Sequence, residues 1–152
     1  MPRLKSATTF ASVAALALCV VIPVFAQSLA QKQAYAEQEK RLSEMYIKKT
    51  NEKCGMELNV KFDWSAIKFQ EHWTDGQTPS GTCGAVVEGI GDVCQVSADA
   101  KKAVQSNVKG VICKEAPPAG FSFGKGVLVY GMDLKNDANV VDRTKKFLMD
   151  NL

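Results

Sequence analysis

His72 is the only histidine in the chain, and Asp63, Glu71, Asp75 and Trp73 lie near it in sequence. An imidazole among carboxylates can act as a general base or share a metal site, because its charge changes near neutral pH. On that reading the chain is a small hydrolase in which His72 works with Asp63 or Asp75 as acid–base groups. The competing reading is a loop histidine in a polar segment. It is preferred, because neither a second histidine nor a C-x-x-C pair accompanies His72, so no metal is expected. Ser80-Gly81-Thr82-Cys83-Gly84 has the look of a nucleophile turn but departs from G-x-S-x-G. Ser80 and Thr82 suit the cap of a following helix instead. Gly124-Lys125-Gly126 lies between two β-rich runs, so no helix N-terminus faces it as a phosphate loop requires. No catalytic group and no cofactor is assigned.

The remaining chemistry is sulfur and aromatic surface. Of five cysteines, Cys19 lies in an apolar N-terminal run, leaving Cys54, Cys83, Cys94 and Cys113. Their spacings of 29, 11 and 19 residues contain no close pair for zinc or for dithiol redox work. An even set in an exported chain reads as a disulfide framework. Trp64, Phe69 and Trp73 could line an aromatic groove for a sugar, a peptide or a partner protein. Trp64 belongs to a strand pattern and is expected in the core. Phe69, His72 and Trp73 fall in a long polar connection, where function concentrates, and are the candidate binding residues.

Residues 1–26 divide as a secretory signal does. Arg3 and Lys5 precede an uncharged run from Phe10 to Phe25, Pro23 breaks it, and Val24-Phe25-Ala26 offers a cleavage site. Cleavage after Ala26 leaves a mature chain beginning at Gln27. A retained signal anchor is the rival reading, and Pro23 speaks against it. Leu18 is too large to precede a lipidated Cys19. No later segment is apolar enough for a membrane, so none is expected to engage one after cleavage. Losing 26 of 152 residues leaves 126, one domain's worth. Without Arg3 and Lys5, the 19 basic residues fall to 17, against 16 acidic ones. Near neutrality there is no basic stripe for phosphate, and nucleic acid is not expected as a partner. The simple signal fits the periplasm, with secretion as the alternative.

Residues 27–52 read as a polar N-terminal segment, a mobile tail over 27–40 merging into a helix marked by Leu42, Met45 and Tyr46. The domain proper, 53–152, opens with Leu58, Val60, Phe62 and Trp64 alternating as in a strand buried on one face. After the 65–80 connection, Cys83 to Cys94 carries apolar residues at helical spacing, weakened by Gly84, Gly89 and Gly91. A second helix begins at Ser97, and Val111-Ile112-Cys113 forms a short strand. Phe121-Ser122-Phe123 and Val127 to Tyr130 flank a glycine turn as a hairpin. A final helix, capped by Asn136 or Asp137, carries Val140, Val141, Thr144, Phe147, Leu148 and Leu152 as its stripe. The fold class is α+β, a small, mostly antiparallel sheet with helices on one face, stapled by two disulfides.

Helix geometry limits the pairing. Eleven residues of helix rise about 16 Å, and a disulfide spans at most about 7 Å between Cα atoms, so Cys83 cannot meet Cys94. An antiparallel second helix with its strand returning toward Cys94 favours Cys94–Cys113, leaving Cys54–Cys83.

The pattern Cys54-Gly55, Val60-Lys61-Phe62-Asp63-Trp64, Cys83, Val93-Cys94, Lys102-Ala103-Val104 and Ile112-Cys113, followed by Gly126-Val127-Leu128, resembles small exported bacterial four-cysteine proteins of unassigned function. It spans residues 54–132 and implies a shared scaffold without a chemistry to transfer. The reading that follows is a non-enzymatic binding or envelope-associated protein whose partner is an envelope protein or a small ligand. Its oligomeric state is left open.

Overall fold

The computed structural model describes residues 28–70, 73 and 77–152. The signal-like segment 1–26 lies outside them. The fold is α+β: a four-stranded mixed sheet, helices packed against it and two disulfides.

Where a mobile tail was expected, the chain forms a helical rod. Helix α1 (Leu29–Leu42) passes through a π-helical turn (Ser43–Ile47) into α2 (Lys48–Cys54). Ser28 caps it, its hydroxyl accepting from the Gln31 N–H at 3.1 Å. The expectation weighed only large aliphatic residues, whereas the rod docks through Tyr35, Gln38, Leu42, Thr50 and Cys54, all buried. From Leu42 the inward residues recur every four positions, through Tyr46 and Thr50 to Cys54. A regular helix rotates such a stripe by about 40° per step. The wider π turn takes up that drift.

Helix α3 (Pro79–Val93) runs beside the rod and parallel to it. Its cap is Thr78 rather than Ser80 or Thr82, the Thr78 hydroxyl accepting from the Gly81 N–H at 3.0 Å. The rod covers one flank of α3, and α5 (Val140–Asn151) covers the other. The α3 glycines sit where these neighbours press closest. A Cβ on Gly84 would stand 2.5 Å from the Tyr46 ring, and one on Gly89 2.8 Å from the Val141 carbonyl oxygen. Gly89→Ala gains about 1 kcal/mol of helix propensity. Overpacking costs about 1–3 kcal/mol, here toward the upper end because a backbone oxygen cannot rotate aside. The variant is expected to lose about 2 kcal/mol net, read as a lower urea midpoint. A midpoint at or above wild type would refute close packing as the reason for this glycine.

The strands are β1 (Asn59–Phe62), β2 (Gly110–Glu115), β3 (Gly120–Gly124) and β4 (Val127–Met132), in the spatial order β1-β2-β4-β3. Pairs β1–β2 and β2–β4 are parallel, and only β3–β4 is antiparallel. The mostly antiparallel sheet expected from the sequence is thereby corrected. Helices α3 and α4 (Ala98–Asn107) together connect β1 to β2, and a crossover of that kind returns a strand in the same direction. The hairpin forms as expected, but Gly124 belongs to β3 and the loop is Lys125-Gly126 alone. Gly124 pairs with Val127, and Lys125 and Gly126 both take positive φ, 52° and 81°, as a type I′ turn demands.

The helices lie on one face. Cys113 of β2 is bonded to Cys83 of α3, and Phe121 of β3 stacks on Phe147 of α5 at 5.2 Å. The final helix lacks its expected cap. Asn139 occupies the cap position with φ 53° and no side-chain bond, while Asp137 accepts from the Tyr130 hydroxyl and pairs with Arg143 at 2.9 Å.

The disulfides are Cys54–Cys94 and Cys83–Cys113, with Cα separations of 5.2 and 6.0 Å. They correct the expected pairs Cys54–Cys83 and Cys94–Cys113. The premise that one helix separates Cys83 from Cys94 holds, since α3 is continuous. The direction of the neighbours decides otherwise. Gln38 meets Ser80, Thr50 meets Val87 and Lys53 meets Asp92, so the parallel rod delivers Cys54 to the Cys94 end. Strand β2, parallel to β1, carries Cys113 under the first half of α3, where Cys83 waits.

Candidate functional site

Trp64 lies two residues past the end of β1, and the connection beyond it starts from the carboxyl end of that parallel strand. Open sheets with parallel strands place ligands outside such ends. Here five aromatic rings from two segments meet. Tyr35 of α1 lies at the centre, stacked on Trp64 at 4.0 Å with 7° between the planes. Phe69 meets Tyr35 edge-on at 6.1 Å, and Trp73 lies 6.4 Å from Tyr35. Phe69 and Trp73 are themselves edge-to-face at 5.9 Å, and Phe62 lies 4.5 Å from Trp64. Such pairs contribute about 0.5–1.5 kcal/mol each beyond area burial.

Hydrogen bonds hold the frame around the rings. The Trp64 Nε1–H donates to Glu39 Oε1 at 2.7 Å, and Gln31 Nε2–H donates to the Tyr35 oxygen at 2.8 Å. The Lys68 N–H donates to Glu115 Oε2 at 2.8 Å, and Gln77 Nε2–H donates to the Lys135 carbonyl at 3.1 Å, anchoring both ends of the connection. Buried Gln38 accepts from the N–H and hydroxyl of Ser80, at 3.0 and 2.6 Å. Ser80 is thus a structural link between α1 and α3.

One polar atom breaks this pattern. Trp73 Nε1 is buried and has no hydrogen-bond partner among the described residues. An unsatisfied buried donor costs about 1–3 kcal/mol.

Of the expected binding residues, Phe69 and Trp73 come together in the cluster, whereas His72 lies outside the described residues, as do Glu71 and Asp75. The Asp63 carboxylate accepts from the Ser65 hydroxyl at 2.5 Å. Among the described residues no group of three His, Cys, Asp or Glu side chains could hold a metal, and no helix is long and apolar enough to cross a membrane. The sequence reading missed Tyr35, the ring that joins the cluster. Its only signal was an isolated aromatic in the polar stretch Gln33-Ala34-Tyr35-Ala36-Glu37, where nothing else asked for burial.

Comparisons with protein-family models, with curated proteins and with solved structures gave no match. The two disulfides are compatible with an oxidising compartment such as the periplasm or the extracellular space.

Proposed function

We propose that the chain is an exported, non-enzymatic binding module of the bacterial envelope, periplasmic in residence and akin to the small four-cysteine proteins it resembles. Its binding element is the aromatic cluster of Tyr35, Trp64, Phe69 and Trp73, and its partner is an envelope protein or a small ligand. The observation that carries this reading is the meeting of these rings beyond the carboxyl end of β1, with Trp64, Phe69 and Trp73 only half-buried. A partner that stacks on these rings meets side chains already held in place by their neighbours. Rigid aromatic side chains lose little entropy on binding, which is why they dominate interface energetics.

The test is a crosslinking capture from the native compartment with Trp73→Ala beside wild type. Capture should fall about tenfold or more for the variant, with far-ultraviolet dichroism unchanged. Equal capture by a folded variant would sink the proposal.

A further inference from the structure

The face of the sheet turned away from the helices is chemically sorted. Cross-strand register sets Lys61, Ile112, Val129 and Ser122 in one row, with Gly110 and Val127 paired in the next. Between Lys61 and Lys109 the surface dips into a hollow of about 170 Å³ floored by Gly110, Ile112 and Val127. Lys61 and Lys109 are exposed, and Lys114 stands half-buried on the same face. None of the three is in an ion pair among the described residues. At the edge strand, Gly120 and Gly124 have open space where a Cβ would be, so nothing on β3 obstructs approach from that side.

We propose that this face docks an acidic amphipathic polypeptide segment, seating one carboxylate side chain in the hollow between Lys61 and Lys109. The methylenes of that side chain lie on Ile112 and Val127, and neighbouring apolar residues of the segment cover Val129. Charge complementarity selects the occupant. A second copy of this chain would set the same lysines against each other, and like charges in contact oppose association. A bilayer is flat, while the aliphatic side chains lie half-buried below the lysine rim. A helix about 10–12 Å across is convex enough to reach them. Side-chain alternation along β1 puts Lys61 and Phe62 on opposite faces, so this surface is distinct from the aromatic cluster and does not depend on it.

The experiment titrates the oxidised protein, isotopically labelled, with a synthetic helical peptide bearing a leucine stripe flanked by glutamates. A twin peptide with lysine in place of each glutamate is the control. Amide shifts centred on Lys61, Ile112, Val127 and Val129 are expected, with affinity falling as salt rises. Affinity should drop about tenfold or more in the double variant Lys61→Glu/Lys109→Glu. The milder Lys61→Gln/Lys109→Gln pair should lose several-fold and covers the case in which charge reversal disturbs folding. Equal binding of the twin peptide, or unchanged affinity in a folded double variant, would overturn the proposal. So would shifts confined to the aromatic cluster, shifts that grow with protein concentration alone, or binding to phosphatidylglycerol vesicles without binding to the acidic peptide.

Discussion

Replacing Cys83 and Cys113 together by alanine is expected to lower the unfolding free energy by about 4 kcal/mol. The crosslinked positions are 30 residues apart, and those of Cys54–Cys94 are 40 apart, so each closes a loop long enough for a comparable effect. The two bonds act at different joints. Cys83–Cys113 ties the helical layer to the sheet, while Cys54–Cys94 ties the end of the rod to the end of α3. All four bonded cysteines are buried, so the alanines also leave small voids that add to the loss. A domain of this size is stable by only about 5–15 kcal/mol, and losing both crosslinks should bring it near or past its midpoint in water. Urea unfolding of each double variant, and of the reduced protein, reads these losses. Peptide mapping without reductant should recover Cys54 joined to Cys94. A loss below about 1 kcal/mol per bond, or four free thiols in folded protein from its native compartment, would remove the disulfide scaffold as the basis of stability.

The second large effect lies one strand away, where Asp137 meets Tyr130 of β4. Asp137→Ala is expected to cost about 3 kcal/mol. Its carboxylate, with a side chain only 4% exposed, pairs with Arg143 at 2.9 Å and accepts from the Tyr130 hydroxyl and from the Asp133 N–H. Removing it strands a phenol buried in the core and leaves Arg143 with the Ala119 carbonyl and the face of the Phe121 ring. The Arg143 side chain is 38% exposed, so water recovers part of the loss, which keeps the figure below that of a fully enclosed pair.

Burial, then the neighbouring Asp137 carboxylate, pushes the Tyr130 phenol well above its ordinary 10.0. A group that holds its proton more tightly when folded contributes stability in full below the unfolded value. That contribution is lost as pH rises from about 10 toward the folded value. Wild type should therefore lose stability above pH 10 more steeply than Tyr130→Phe, which has no phenol to ionise. Urea midpoints for both proteins across the alkaline range supply the comparison, and the difference between them cancels the lysines that titrate nearby. Parallel curves would show that the phenol is not protected.

Local patterns were legible where one face of one element decided the outcome. Val140, Thr144 and Leu148 at four-residue intervals marked the buried stripe of α5, and Gly124-Lys125-Gly126 marked the hairpin turn. The alternation of Leu58, Val60, Phe62 and Trp64 marked β1, although the strand ends at Phe62. Patterns failed where a partner supplied the reason for a residue. Tyr35 and Gln38 looked like solvated positions because their burial comes from Trp64 and from Ser80, far along the chain. The glycines of α3 looked like helix weaknesses, and against Tyr46 and Val141 they are the clearances that let three helices share one layer. Phe69 and Trp73 stood out as aromatics in a polar stretch, yet the ring they gather around came from a segment read as tail.

By itself the sequence determined that four cysteines would pair within an α+β domain and that helices would cover one side of a sheet. These follow from composition and from residue periodicity, which each element carries within itself. Only the tertiary structure decided strand direction, the partner of each cysteine and the assembly of the aromatic cluster. Direction depends on where a connection lands, and a two-helix crossover and a chain reversal leave the same alternation in the strands they join. Once the rod lay parallel to α3 and β2 parallel to β1, the distances between sulfurs left Cys54–Cys94 and Cys83–Cys113 as the pairs that could close.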